Sequence, residues 1–161
     1  MENFGKYTGS QDAPQRSFQL KWHKFLIYFA LWAGALINAG NAVMCINGTQ
    51  YQEQSEQIYA MYSGLKTLDL AWGIVLLGIC AYMIYVRFQL AGFRIGAPRK
   101  LSILYIMNLV CSLAYLLAFS AVTHLSLGAM ASKIIPSIFS SILLLFLNQN
   151  YYSKRLELFV N

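Results

Sequence analysis

Four long stretches nearly free of charge constrain this chain more than any other feature of it: about Phe25–Ile46, Leu65–Val86, Leu101–Thr123 and Ile134–Tyr151. An α-helix needs about 20 apolar residues to cross about 30 Å of hydrocarbon, and each stretch is near that length. They are too long for barrel strands and lack the alternation of a strand. Composition agrees: charged residues make up 11% of the 161 residues, where a soluble domain carries about 25%. The expected fold is an all-α membrane protein, an antiparallel bundle of four transmembrane helices.

Charge sets the expected orientation, because Lys and Arg beside a span tend to stay cytoplasmic. The head holds Lys6, Arg16, Lys21 and Lys24; the connection between spans two and three holds Arg87, Arg94, Arg99 and Lys100; the tail holds Lys154 and Arg155. Only Lys66 and Lys133 fall on the other side, where Glu53 and Glu56 also lie. Both termini are therefore expected in the cytoplasm. The basic balance follows from topology and attraction to anionic lipid, and its scatter along membrane borders argues against nucleic acid. Trp22, Tyr28, Tyr82, Tyr85, Tyr151 and Tyr152 then form an inner aromatic belt, with Tyr59 and Tyr62 at the outer border and Trp72 somewhat deeper.

The first span has a competing reading. A basic head, an apolar run and small residues at Gly40-Asn41-Ala42 resemble a signal peptide with its cleavage site. The run is long for that purpose, so a retained helix is expected. An intact mass lacking the residues before Asn41 or Val43 would overturn this.

Outside the spans, residues 1–20 read as a flexible cytoplasmic tail, residues 21–152 as the transmembrane domain and residues 153–161 as a basic cytoplasmic tail. The polar connection Asn47–Ser63 is the longest outer loop; its Asn47-Gly48-Thr49 is formally a glycosylation sequon, to which little weight attaches so close to the membrane. A short outer turn is expected over Ser126–Ser132. The inner connection from Arg87 to Lys100 mixes bulky apolar and basic residues and can lie in the headgroup layer, with Arg87, Arg94, Arg99 and Lys100 as candidate lipid-headgroup contacts. Gly96 and Pro98 would end the second helix and redirect the chain.

Polar groups inside the spans are the strongest functional pointers, because hydrocarbon penalises them. Gly34, Asn38, Asn41 and Cys45 share one stripe of span one, and Lys66, Asp69, Gly73 and Cys80 one stripe of span two. Depth arithmetic places Asn41 and Asp69 at one level, about 6 to 8 Å below the outer end. Lys66 stands three residues before Asp69, a spacing that permits a salt bridge. With His124 at the outer end of span three, the candidate cluster is Asn38, Asn41, Lys66, Asp69 and His124. It reads either as a vestibule for an ion, proton or small solute, or as interhelical hydrogen bonding with an interfacial ion pair; the second is favoured. Nearer the inner half, Asn108, Ser112 and Tyr115 share a stripe of span three, and Ser137, Ser141 and Asn148 one of span four, with Pro136 in that span's first turn.

No catalytic set is evident. Asp69 is the single intramembrane carboxylate, so acid–base chemistry has no second member. Cys45, Cys80 and Cys111 form no CxxC pair and read as packing residues. No metal site or cofactor is expected.

The runs Lys21-Trp22-His23-Lys24-Phe25-Leu26-Ile27-Tyr28-Phe29-Ala30-Leu31-Trp32, Leu65-Lys66-Thr67-Leu68-Asp69 and Tyr85-Val86-Arg87-Phe88-Gln89-Leu90-Ala91-Gly92-Phe93 resemble a group of uncharacterised small four-helix membrane proteins of Gram-positive bacteria. The tail Tyr151-Tyr152-Ser153-Lys154-Arg155-Leu156-Glu157-Leu158-Phe159 resembles theirs too, so the likeness covers about residues 21 to 160. It implies membrane class and topology and transfers no activity. Some of those proteins have a zinc ribbon ahead of the first span; the head here has no Cys, so no metal site is carried over. The expected role is a non-enzymatic accessory or interaction protein of the cell membrane, its partners the bilayer and a membrane protein or a second copy. The alternative is a small transporter or channel with its site around Asp69.

Overall fold

The computed structural model describes residues 20–159, and for 127 and 129–137 the backbone alone. The expected tail up to residue 19, with Lys6 and Arg16, lies outside the described residues, as do the side chains of Lys133, Pro136 and Ser137. Among the described residues the chain is helical, with no strand.

Helix α1 runs from Lys21 to Asn47 as Lys21–Phe25, a π-helical turn Leu26–Ala30, and Leu31–Asn47. A 3₁₀ segment Thr49–Gln54 and the short α2 (Ser55–Met61) follow. Then come α3 (Leu65–Ala91), α4 (Ala97–Thr123) and α5 (Leu127–Ser153), 27 residues each, and a 3₁₀ turn Leu156–Leu158. Among the described residues, three helical stretches are long and apolar enough to cross a membrane: Lys21–Met61, of which α1 ends at Asn47, Leu65–Ala91 and Ala97–Thr123.

The helices outrun the apolar segments that announce them. At 1.5 Å per residue, 27 residues reach about 40 Å, the thickness of hydrocarbon plus headgroup layers. Hydropathy marks only the middle of such a helix. Backbone hydrogen bonding continues past that middle into the residues at each end, where Lys, Arg and Gln occur.

This lengthening corrects three expectations. The inner connection is not a surface-lying segment: α3 continues through Ala91, and Ala97 already opens α4. Gly92 ends α3, its N–H bonding the Phe88 carbonyl at 3.0 Å, while Pro98 sits in the first turn of α4, where its missing N–H costs little. Gly96, at φ 79°, supplies the left-handed residue that reverses the chain. The outer turn narrows to residues 124–126, so Pro136 lies inside α5 rather than in its first turn. The outer connection, read as a loop, folds into the 3₁₀ segment and α2, with Glu56 favourably placed in the first turn of α2.

Each helix packs on the next long one in an antiparallel row: α1 along α3, α3 along α4, α4 along α5. The larger core lies toward the end of the bundle where α1 starts, and there Leu26, Leu31, Val86, Leu90, Leu101, Leu104 and Tyr152 are buried together. A smaller one, Ala42, Cys45 and Leu76 with Trp72 against them, lies toward the opposite end. At its start α1 also meets α5: Trp22 Nε1 donates to Asn148 Oδ1 at 3.1 Å. There His23 is buried, 2.9 Å from the Tyr152 hydroxyl, stacked on Phe93 and edge-on to Phe159. The head of α1, the α3–α4 turn and the tail are thus joined through one aromatic group.

Small residues let α1 and α3 approach closely. A Cβ on Gly73 would lie 2.6 Å from Ile46 Cγ1 and 3.1 Å from the Ala42 carbonyl, whereas one on Gly78 would meet nothing within 4 Å. Gly73→Ala is therefore expected to cost about 1–3 kcal/mol through overpacking. Gly78→Ala is expected to be neutral or to add up to about 1 kcal/mol through helix propensity. Unfolding of both variants in mild detergent checks this; equal stabilities would refute the close contact.

Candidate functional site

Asp69 lies in the second turn of α3 and is fully buried, with 0% of its surface exposed. Both carboxyl oxygens are taken. Tyr115 of α4 donates to Oδ1 at 2.8 Å, and Tyr59 of α2 donates to Oδ2 at 3.1 Å. Each donor is held in turn. Trp72, three residues along the same face of α3, stacks on Tyr115 with ring centroids 4.7 Å apart. Tyr51 packs edge-on to Tyr59 at 5.6 Å.

The fold of the outer connection brings Tyr59 to this place. Gly48, at φ 72°, ends α1 in the left-handed conformation that glycine adopts without strain. It also lacks a Cβ where one would come within 3.0 Å of the Tyr59 ring. Gln52 takes a positive φ of 55° and turns the chain again before α2. The connection thereby folds over Asp69. Beneath it Cys45 Sγ donates to Gln50 Oε1 at 3.3 Å. Gln50 Nε2 and the Tyr51 hydroxyl are buried without a hydrogen-bond partner, the latter beside Asp69 and Tyr115.

Tyr51 and Tyr59 belong to the connection outside the spans, and both phenols are harder to ionise than usual. Burial first, and then the Asp69 charge, pushes Tyr59 up to about 12 and raises Tyr51 as well. Exposed tyrosine ionises near pH 10. The raised value means that the Tyr59 proton stays available for donation through that range and is lost only as pH climbs toward 12.

The sequence cluster does not assemble around Asp69. Lys66 is exposed and makes no ion pair with it; the carboxyl is served by tyrosines instead. Asn41 is exposed and stands deeper. Gly73, one turn below Asp69, faces Ala42 and Ile46, which levels Asp69 with the outer end of α1 beyond Asn41. Asn38 turns elsewhere, donating to the Gly34 carbonyl at 2.9 Å and to Met83 Sδ at 3.5 Å. His124 is exposed at the end of α4 in a left-handed conformation, φ 57°. Depth counted from estimated span ends missed the true offset between helices.

The candidate headgroup cations divide. Arg87 Nε donates to the Ile27 carbonyl within the π-helical turn of α1 at 3.2 Å, and its guanidinium lies against Trp32. Lys100 donates to the Tyr85 hydroxyl at 2.8 Å and to Gln89 Oε1 at 3.0 Å. Arg94 and Arg99 are exposed.

Sequence reasoning passed over Tyr59 as an interfacial anchor and placed Tyr115 too near the inner half. One signal was available. A tyrosine hydroxyl at membrane depth needs a partner, and Asp69 was the sole carboxylate there to accept it. Among the described residues no three of His, Cys, Asp and Glu stand together as a metal site.

Asp69→Ala is expected to leave two tyrosine hydroxyls unpaired, at about 1–3 kcal/mol for each buried group. Asp69→Asn keeps an acceptor oxygen and should cost less. Tyr115→Phe is expected to cost about 1–3 kcal/mol by leaving Asp69 Oδ1 without its donor. A double-mutant cycle between Asp69 and Tyr115, read by thermal unfolding in detergent, checks the contact; additive losses would refute it.

Compared with known families, curated proteins and solved structures, the chain matches none.

Proposed function

We propose that this chain is a multi-pass protein of the cell membrane that crosses four times with both termini cytoplasmic. Its role is that of a non-enzymatic accessory or interaction protein. The observation that carries this reading is the closure of Asp69: the one intramembrane carboxyl is buried, and its oxygens are spent on the chain's own tyrosines. A residue so engaged joins helices; it does not wait for a solute.

The surface supports the membrane setting. Large apolar side chains face outward along all four long helices: Leu36 and Ile37 on α1, Ile74 on α3, Val110 and Leu117 on α4, Phe139 and Phe146 on α5. A water-soluble monomer rarely exposes so extended an apolar surface. The start of α1, the α3–α4 turn and the end of α5 meet at one end of the bundle. With them come Lys21, Lys24, Arg87, Arg94, Arg99, Lys100, Lys154 and Arg155, which supports a cytoplasmic assignment for that end. The resemblance to small membrane proteins of Gram-positive bacteria points the same way.

Cross-linking in native membranes, followed by mild-detergent purification and mass spectrometry, is expected to recover a stoichiometric membrane-protein partner. Recovery of no reproducible partner would overturn the accessory role.

A second reading, a small transporter or channel, has one observation in its favour. Gln50 Nε2 and the Tyr51 hydroxyl are buried and unpartnered in the connection covering Asp69, as at a site that admits a small polar guest. Flux in liposomes is its test. Flux unchanged by Asp69→Asn removes the residue from the pathway, and absence of flux for a panel of ions and amphiphiles removes the class.

A further inference from the structure

Where the start of α1 meets the end of α5, the surface opens into a cleft of about 320 Å³ lined by Trp22, Leu147, Asn150, Tyr151, Lys154 and Arg155. Both charges in its lining are positive. One wall is fixed by the Trp22–Asn148 hydrogen bond, which spends the indole N–H and leaves Trp22 as an apolar surface beside Leu147.

Arg155 is held in place with most of its donors unspent. Its Nη1 donates to the Tyr151 carbonyl at 2.8 Å, and the guanidinium carbon lies 4.2 Å from the Tyr151 ring centroid. Its Nε is buried and unpartnered. A guanidinium has five N–H donors in a fixed fork, a geometry suited to phosphate oxygens. Lys154 is exposed and has neither hydrogen bond nor ion pair among the described residues. Glu157, two residues beyond Arg155, pairs with neither cation.

We propose that this cleft binds a phosphodiester anion, and that its source is the headgroup of an anionic phospholipid in the cytoplasmic leaflet. Lys154 and Arg155 take the phosphate, Asn150 is positioned beside it, and the apolar wall of Trp22 and Leu147 receives the start of an acyl chain. That wall distinguishes a lipid from free phosphate, which would gain nothing from it. Trp and Tyr mark the depth at which lipid phosphates lie, and basic pockets between helices on this side suit such headgroups. The proposal rests on the membrane reading above, with this end of the bundle cytoplasmic. It is separate from Arg94, exposed in the α3–α4 turn, and Arg99, exposed in the first turn of α4.

The test uses the full chain in phosphatidylcholine nanodiscs with and without phosphatidylglycerol, released gently and read by native mass spectrometry for retained lipid. One phosphatidylglycerol per chain is expected. At about 1 kcal/mol per cation, Lys154→Gln should weaken retention about fivefold and Lys154→Gln with Arg155→Gln about thirtyfold. Lys154 makes no contact the fold depends on, so its variant tests the site even if loss of Arg155 disturbs the helix end. Arg94→Gln with Arg99→Gln should leave retention unchanged. Equal weakening by that pair would reduce the effect to general surface charge and overturn the site. Insertion into both discs without preference for phosphatidylglycerol would overturn it too, with the membrane reading intact; failure to insert into either would overturn that reading itself. Displacement of the lipid by millimolar inorganic phosphate would assign the cleft to a soluble phosphate and overturn the lipid source.

Discussion

A carboxyl group enclosed by protein has to be met by donors from the same chain, because no solvent is there to serve it. In this protein the donors are two tyrosine hydroxyls from different elements, and much of that end of the bundle follows from bringing them to Asp69. Tyr115 ties α4 to α3 at that level, with Trp72 stacked against it. Tyr59 reaches the other oxygen only because the connection after α1 folds back on itself at Gly48 and Gln52. The carboxyl joins three elements at a place where the apolar core is small.

The end of the bundle where α1 starts is organised by aromatic packing. His23, Phe93, Tyr152 and Phe159 come from the start of α1, the α3–α4 turn, the end of α5 and the tail; His23 and Phe159 each meet the other three rings at centroid distances of up to 6.0 Å. Phe93 takes a positive φ of 48° there, a conformation a bulky residue adopts only where its surroundings hold it. Nearby, Arg87 secures the wide π-helical turn of α1 by bonding a carbonyl within it. A π-helical turn is a rare departure from the helical ladder, and this one sits where a cation of the neighbouring helix enters.

These two ends bear on function in different ways. At one end, the acid that first suggests a ligand site is occupied by the chain's own tyrosines. At the other end, Arg87 and Lys100 are likewise drawn into internal contacts, while Lys154 and Arg155 frame an open cleft without an acidic partner among the described residues. A cation's sequence position beside a span does not tell whether lipid or protein will receive its charge. The neighbours that compete for it decide.

Four apolar segments, the basic residues on alternating connections and the lone acid of span two were legible in the chain itself. They follow from local chemistry: helix length against bilayer thickness, the bias of Lys and Arg toward one side, and the penalty on charge in hydrocarbon. Among the described residues the structure is all-helical, with three helical stretches apolar and long enough to cross a membrane. What local chemistry could not give was the partner of each polar group. Lys66 stood at the right spacing for Asp69, yet spacing along one helix fixes neither which side chain turns inward nor how far the next helix is offset. Those depend on how α1, α3 and α4 settle against Gly73, Gly34 and Trp72, contacts between residues distant in the chain. Tyr59, Tyr115 and the cleft beside Arg155 therefore belong to the tertiary structure, because packing, not sequence spacing, sets the distances over which hydrogen bonds form.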